Sequence, residues 1–191
     1  MVTTRNSRSD VVRAAGRLFA DRGYHGTSMR DLGKEVGLLG SSLYSHVSSK
    51  QDLLVEVVEE GARLFEQSAE RALTAEGTAT DRLHALIAGH ADVVIDNIEV
   101  ARTFLNEARV LDAAHRARIV EARDHYEEAF RGVIREGTGD GSFSTDVDPK
   151  TASIFILSIL NAIERWYRPD GPLDRAALVA ELVRFTRAAL T

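Results

Sequence analysis

Residues 28–46 hold the most specific chemistry in this sequence. Leu32 and Val36 recur at helical spacing and leave Arg30 and Lys34 on the other side; past Gly37 and Gly40, Leu43 and Val47 anchor a second stretch and leave Ser41, Ser42, Tyr44, Ser45 and His46 outward. A guanidinium, an ammonium and a row of hydroxyls are what a protein presents to phosphate oxygens and base edges. Two short helices joined by a glycine-bearing turn make a helix-turn-helix, whose second helix enters the major groove. Enzyme chemistry has less to stand on. The nearest histidine pair, His84 and His90, is six residues apart, poor for one helix face, and no H-E-x-x-H, E-x-x-H, glycine-rich phosphate loop or G-x-S-x-G is present. His90 falls on an apolar stripe and reads as a core histidine or a polar lining group.

Holding such groups outward requires a small core beneath them, and the flanking sequence supplies it. Val11, Ala14, Ala15, Leu18 and Phe19 recur at helical spacing behind Ser7-Arg8-Ser9-Asp10, which has the S-x-x-D form of a capping box, so a first helix is predicted over 9–22. Thr27-Ser28-Met29-Arg30-Asp31 offers a second capped start, with Asp31 placed to cap back onto Ser28. A third short helix is read over 41–46. Ser48-Ser49-Lys50-Gln51-Asp52 then caps a long helix over 51–73. Further helices are predicted over 81–97, 99–112, 115–136, 150–167 and 173–190, with turns at Gly137, Gly139, Gly141, Pro149, Pro169, Gly171 and Pro172. The fold class expected is all-α, with an N-terminal three-helix domain over 1–50 and a larger helical domain over 51–191.

Composition agrees. The 191 residues are 44% hydrophobic and 28% charged, with no cysteine and three prolines, which excludes general disorder and a disulfide-stapled scaffold. Met1 to Asn6 contain no apolar run, and the most apolar window, 152–163, is too short to span a bilayer, so a soluble cytoplasmic protein without a membrane partner is expected. Net charge is -5, yet residues 1–50 carry 8 Lys and Arg against 4 Asp and Glu, while the rest carry 16 against 25. A basic head on an acidic body suits a head that approaches phosphates.

Phe19-Ala20-Asp21-Arg22-Gly23-Tyr24, Thr27 to Leu32, Gly37, Leu43-Tyr44-Ser45-His46-Val47 and Ser49-Lys50-Gln51-Asp52-Leu53-Leu54 closely resemble the DNA-binding region of the TetR family of bacterial transcriptional regulators, over about residues 8–56. The resemblance implies an all-helical homodimer that reads double-stranded operator DNA with its N-terminal helices, and whose C-terminal helices hold a small-molecule pocket and the dimer interface. It puts Thr27 and Ser28 at phosphate, Arg30 within reach of a base edge, Ser41, Ser42, Tyr44, Ser45 and His46 along the recognition helix, and Lys50 at a phosphate. The sequence departs from the family pattern at Gly33, Leu39, Ser41 and Val47; Leu39 removes a usual capping hydroxyl and leaves Gly40 or Ser41 to start the recognition helix.

In the body, Leu83, Ile87, Val94 and Ile98, then Val100, Phe104, Ala108 and Leu111, then Ile119, Ala122, Tyr126, Phe130 and Val133 form three apolar stripes that enclose either a filled core or a cavity. With the resemblance, Phe104, Arg123, Tyr126, Phe130, Leu157, Asn161 and Trp166 are the candidate effector residues. Arg123-Asp124-His125-Tyr126-Glu127, residues 141–149 and Asn161 with 166–173 are similar to a TetR subgroup that controls fatty-acid, aromatic-acid or steroid breakdown and senses acyl-CoA thioesters; Arg102, Arg109, Arg123 and Arg131 would serve the CoA phosphates or pair with Glu107, Glu127 and Glu128. Ile154 to Ile163 are apolar on nearly all sides of their helix, so a partner subunit is expected to cover it together with the last helix. The resulting expectation is a ligand-responsive repressor, released from a palindromic operator by a small hydrophobic or acyl-CoA effector, with no cofactor or metal. A helical protein-interaction module and a helical-bundle enzyme are the alternatives.

Overall fold

Helices in this chain begin where a short polar side chain can accept from the first unpaired N–H groups. A computed structural model describes residues 7–38, 43–45 and 47–191, and among them it holds helices and turns with no strand. The helices are α1 (Arg8–Arg22), α2 (Met29–Glu35), α3 (Lys50–Thr74), α4 (Ala79–Asp96), α5 (Ile98–Glu107) with a 3-10 turn at Ala108–Val110, α6 (Ala113–Asp140), α7 (Pro149–Trp166) and α8 (Arg175–Leu190). Ser7 with Asp10, Ser28 with Asp31 and Thr78 with Asp81 form reciprocal capping boxes at α1, α2 and α4. Ser49 accepts from the Asp52 amide (3.0 Å) at α3, and Asp148 and Asp174 cap α7 and α8.

The chain divides into two compact units. The first joins the described part of 1–63 to Glu99–Val120. Val11, Ala14, Ala15, Leu18 and Phe19 of α1 are buried with Leu32 of α2, Leu43, Val47, and Leu53, Leu54, Val57 and Val58 of α3. α5 belongs to this unit. The Thr103 hydroxyl donates to the Gly16 carbonyl (3.3 Å), and Phe104 lies over Gly61. The predicted division at residue 50 is a division in chain order, whereas this packing gathers α5 and the start of α6 around α1 and α3.

The second unit joins Leu64–Ile98 to Glu121–Thr191. α4 packs on α7 and α8, through Leu83, Leu86, Ile87, Ala91 and Val94 and the inner residues Ile156, Leu160, Ile163, Leu178 and Leu182. Arg82 pairs with Glu136, and Arg175 with Asp92 (3.2 Å) and Asp96, ion pairs at the surface that add little to stability. Helix α6 corrects one sequence expectation: it continues to Asp140 through Gly137 and Gly139, placed in turns from the sequence, and ends at Gly141 with φ +83. The cause is Phe143. Its buried ring folds back onto Gly137, and its amide donates to the Gly137 carbonyl (2.9 Å).

A Cβ on Gly137 would lie 2.2 Å from the Phe143 ring, while one on Gly139 would meet nothing within 4 Å. Gly137→Ala is therefore expected to lose about 1–3 kcal/mol of stability, and Gly139→Ala to gain up to about 1 kcal/mol from helix propensity. Urea unfolding of the two variants checks the opposite signs.

Candidate functional site

In the first unit, Met29, Arg30, Gly33 and Lys34 of α2 and Leu38, Leu43 and Tyr44 line one concavity of about 460 Å³. Arg30 and Lys34 are exposed, and the Tyr44 ring is 57% exposed, so cations and a phenol stand around one hollow. Ser45 is exposed beside Tyr44; Ser41, Ser42 and His46 lie outside the described residues. Ser28 is exposed at the N-cap of α2, where its hydroxyl accepts from the Asp31 amide (3.2 Å), and the Ser28 hydroxyl and amide hold the Asp31 carboxyl below the usual carboxylate range.

Two residues expected at phosphate are engaged within the protein. Thr27 is buried, and its hydroxyl donates to the carbonyls of Gly23 (3.0 Å) and Leu18 (3.2 Å), closing the end of α1. Lys50 is half-buried at the start of α3, and its Nζ donates to the carbonyls of Tyr24 and Thr27, both at 2.8 Å.

In the second unit, Tyr126 and Phe130 come together edge to face (5.5 Å) and are joined by Phe65 and His90, neither of which the stripe pattern singled out as an effector residue. His90 is 1% exposed. Its Nδ1 shares a hydrogen bond with the Tyr126 hydroxyl (3.1 Å), and its Nε2 has no hydrogen-bond partner. Burial pushes the His90 pKa down to about 3, against an opposing effect of the Leu160 backbone, and pushes the Tyr126 phenol up. Position on the apolar stripe at 83–94 was the one available signal for His90. A cavity of about 210 Å³ lies against Tyr126, lined also by Glu66, Ala69, Glu70, His125 and Ala129.

The other body residues are dispersed. Phe104 belongs to the first unit, over Gly61. Arg123 is half-buried, and desolvation lowers its guanidinium pKa. Leu157 and Asn161 are half-buried on α7, and Trp166 is 50% exposed, edge-on to Tyr167. Arg131 pairs with Glu127 and with Glu128 (3.0 Å). Phe155 and Ile159, with Trp166, leave an exposed apolar stripe on α7, and Phe185 is exposed on α8. Among the described residues no group of three or more histidine or acidic side chains could hold a metal ion, and no helix is long and apolar enough to cross a membrane.

The unfolded chain protonates His90 near the ordinary value of 6.5 and the folded chain only at about 3. The unfolded state therefore binds more protons between these values, and stability falls as pH drops through that window, by up to about 1.4 kcal/mol per pH unit. His90→Gln removes the titration. Its unfolding free energy is expected to fall by about 1.4 kcal/mol less than wild type between about pH 7.5 and 5.5 in urea titrations; equal falls would mean that His90 already charges in the native protein.

Comparison with known proteins covers both the head and the body. Residues 11–57 match bacterial regulatory proteins of the tetR family, and residues 76–190 match the tetracyclin repressor-like C-terminal domain. The HTH-type transcriptional repressor KstR2 of Rhodococcus jostii is 29% identical over 172 residues, covering 86% of this chain and 81% of that protein. The TetR family regulator PfmR of Thermus thermophilus superposes with a TM-score of 0.85 at 29% identity, over 93% of this chain and 97% of that one. AibR, solved in complex with isovaleryl coenzyme A and operator DNA, gives a TM-score of 0.85 at 25% identity over 93% and 96%. With the C-terminal match alone spanning more than half of its length, the chain belongs to the TetR family, a family of transcriptional regulators rather than of enzymes.

Proposed function

We propose that this protein is a cytoplasmic repressor that binds a palindromic operator as a homodimer and is released by a small hydrophobic or acyl-CoA effector. The observation that carries this reading is that its likeness to AibR, a protein captured with both an acyl-CoA and operator DNA, extends over 93% of the chain. Functionally, residues 1–50 form the reading head and 51–191 the effector and pairing body. Arg30, Lys34, Tyr44 and Ser45 face the duplex, with Ser28 at the start of α2 and Ser41, Ser42 and His46 completing the set; Thr27 contributes by shaping the turn. The effector set is Tyr126 and Phe130 with the half-buried Arg123, Leu157 and Asn161; Phe104, which packs in the first unit, and Trp166, exposed on α7, are left out of it.

The exposed Phe155, Ile159 and Trp166 of α7 and Phe185 of α8 suit a second copy of the chain. Two-fold pairing there sets two heads about 34–36 Å apart, or a multiple of that, on successive major grooves. α3 is the lever: one continuous helix from the head into the body. An effector that binds the released arrangement better shifts the balance, and about 1–3 kcal/mol of coupling gives a useful response.

Selection of an operator from random duplexes, followed by anisotropy titration with and without isovaleryl-CoA and longer acyl-CoAs, tests the reading. An acyl-CoA is expected to weaken operator binding about 5- to 150-fold; equal affinity across the series would overturn the effector assignment. Arg30→Ala is expected to cost about 1–3 kcal/mol and to relax selection at one base pair of each half-site.

A further inference from the structure

The ammonium of Lys50 is spent inside the protein, which changes what this residue does for DNA reading. Lys50 is the first residue of α3, where the positive end of the helix dipole disfavours a cation. Its side chain leads the charge away from that end, to the carbonyls just beyond the C-terminus of α1, where a cation is favoured. Nζ donates to the Tyr24 and Thr27 carbonyls at 2.8 Å each and lies 4.0 Å from the centre of the Tyr24 ring, over its face. The next residue adds a second tie: the Tyr24 hydroxyl donates to Gln51 Oε1 at 2.9 Å. Tyr24 is thus held at its backbone, its ring and its hydroxyl by two consecutive residues of α3.

The segment so held is the one that aims α2. Thr27, whose carbonyl Lys50 takes, fastens its own hydroxyl to Leu18 and Gly23 and is followed directly by Ser28, the N-cap of α2. We propose that Lys50 is a positioning residue, which locks the α1–α2 turn to the first turn of α3 so that Arg30, Lys34 and Tyr44 move with α3, and that this internal clamp, rather than a contact to phosphate, is its main contribution to operator binding. The proposal rests on the DNA-reading role given above. An arginine would keep the charge and bind phosphate at least as well, but it would replace the single nitrogen that donates to both carbonyls at 2.8 Å with a longer, planar fork of different donor geometry.

Lys50→Arg and Lys50→Met are the informative pair. In the protein free of DNA, both are expected to speed amide exchange across residues 23–31 by about tenfold or more, because charge-assisted hydrogen bonds to that turn are lost. Both are also expected to weaken operator binding by about tenfold or more. Lys50→Met that loses operator affinity with exchange across 23–31 unchanged would make Lys50 a phosphate anchor and overturn the clamp; so would Lys50→Arg that speeds exchange yet binds the operator within about twofold of wild type. Should either variant fail to fold, the wild-type protein still decides: its Lys50 Nζ should give a protected, slowly exchanging ammonium resonance in the absence of DNA, and an unprotected one counts against the proposal. If no duplex is bound at all, the DNA-reading role fails, while the exchange and ammonium measurements still judge the clamp.

Discussion

The carbonyl groups that close α1 have no helical partner of their own, and the shape of the head follows from how they are satisfied. The Gly23 amide returns to Phe19 at 2.9 Å, the Thr27 hydroxyl takes Leu18 and Gly23, and the Thr27 amide shares the Tyr24 carbonyl with Lys50. Donors therefore come from the turn itself and from α3, 23 residues beyond Thr27. Gly26 is required for the same closure, since a Cβ there would lie 2.3 Å from the Arg22 carbonyl oxygen. A buried carbonyl left without a donor costs about 1–3 kcal/mol, so few other paths for this turn keep every group paired. The direction of α2, and with it the exposure of Arg30 and Lys34, is a consequence.

Features that depend on neighbours in sequence were legible. The Ser7–Asp10 and Ser28–Asp31 boxes are three residues wide, and both form as read. The Thr78–Asp81 box starts α4 at Ala79, two residues before the start expected at residue 81. The end of α6 was misplaced for a different reason. Two glycines lower helix propensity by about 1 kcal/mol each, which marks a break by local rules, yet the packing of Phe143 on Gly137 outweighs that cost.

Contacts between residues distant in the chain were not legible, and they decide the site. The family resemblance implies Thr27 and Lys50 at phosphate; the closure of α1 has one buried and the other turned inward. The division at residue 50 follows chain order, while the Thr103 bond to Gly16 and the packing of Phe104 on Gly61 tie α5 to α1 and α3. In the second unit the stripe carrying His90 was plain, but its pairing with Tyr126, 36 residues away, was not. Burial keeps the imidazole neutral, so His90 acts there as an uncharged polar group.

The all-round apolar character of α7 has two separate explanations in the structure. Ile156, Leu160 and Ile163 face α4 within the second unit and are buried, while Phe155 and Ile159 leave that unit uncovered, with Phe155 64% exposed. Large side chains of this kind on one face tend to associate, and a closed two-fold pairing uses the same patch on both copies. Pairing also answers a need of the head. A single helix-turn-helix contacts few base pairs, each worth about 1–3 kcal/mol of discrimination; two heads on one rigid pair add their contacts without a second loss of translational freedom. In the proposed dimer, the uncovered face of α7 and the exposed cations of α2 would serve one requirement, that two readers be held at a fixed separation.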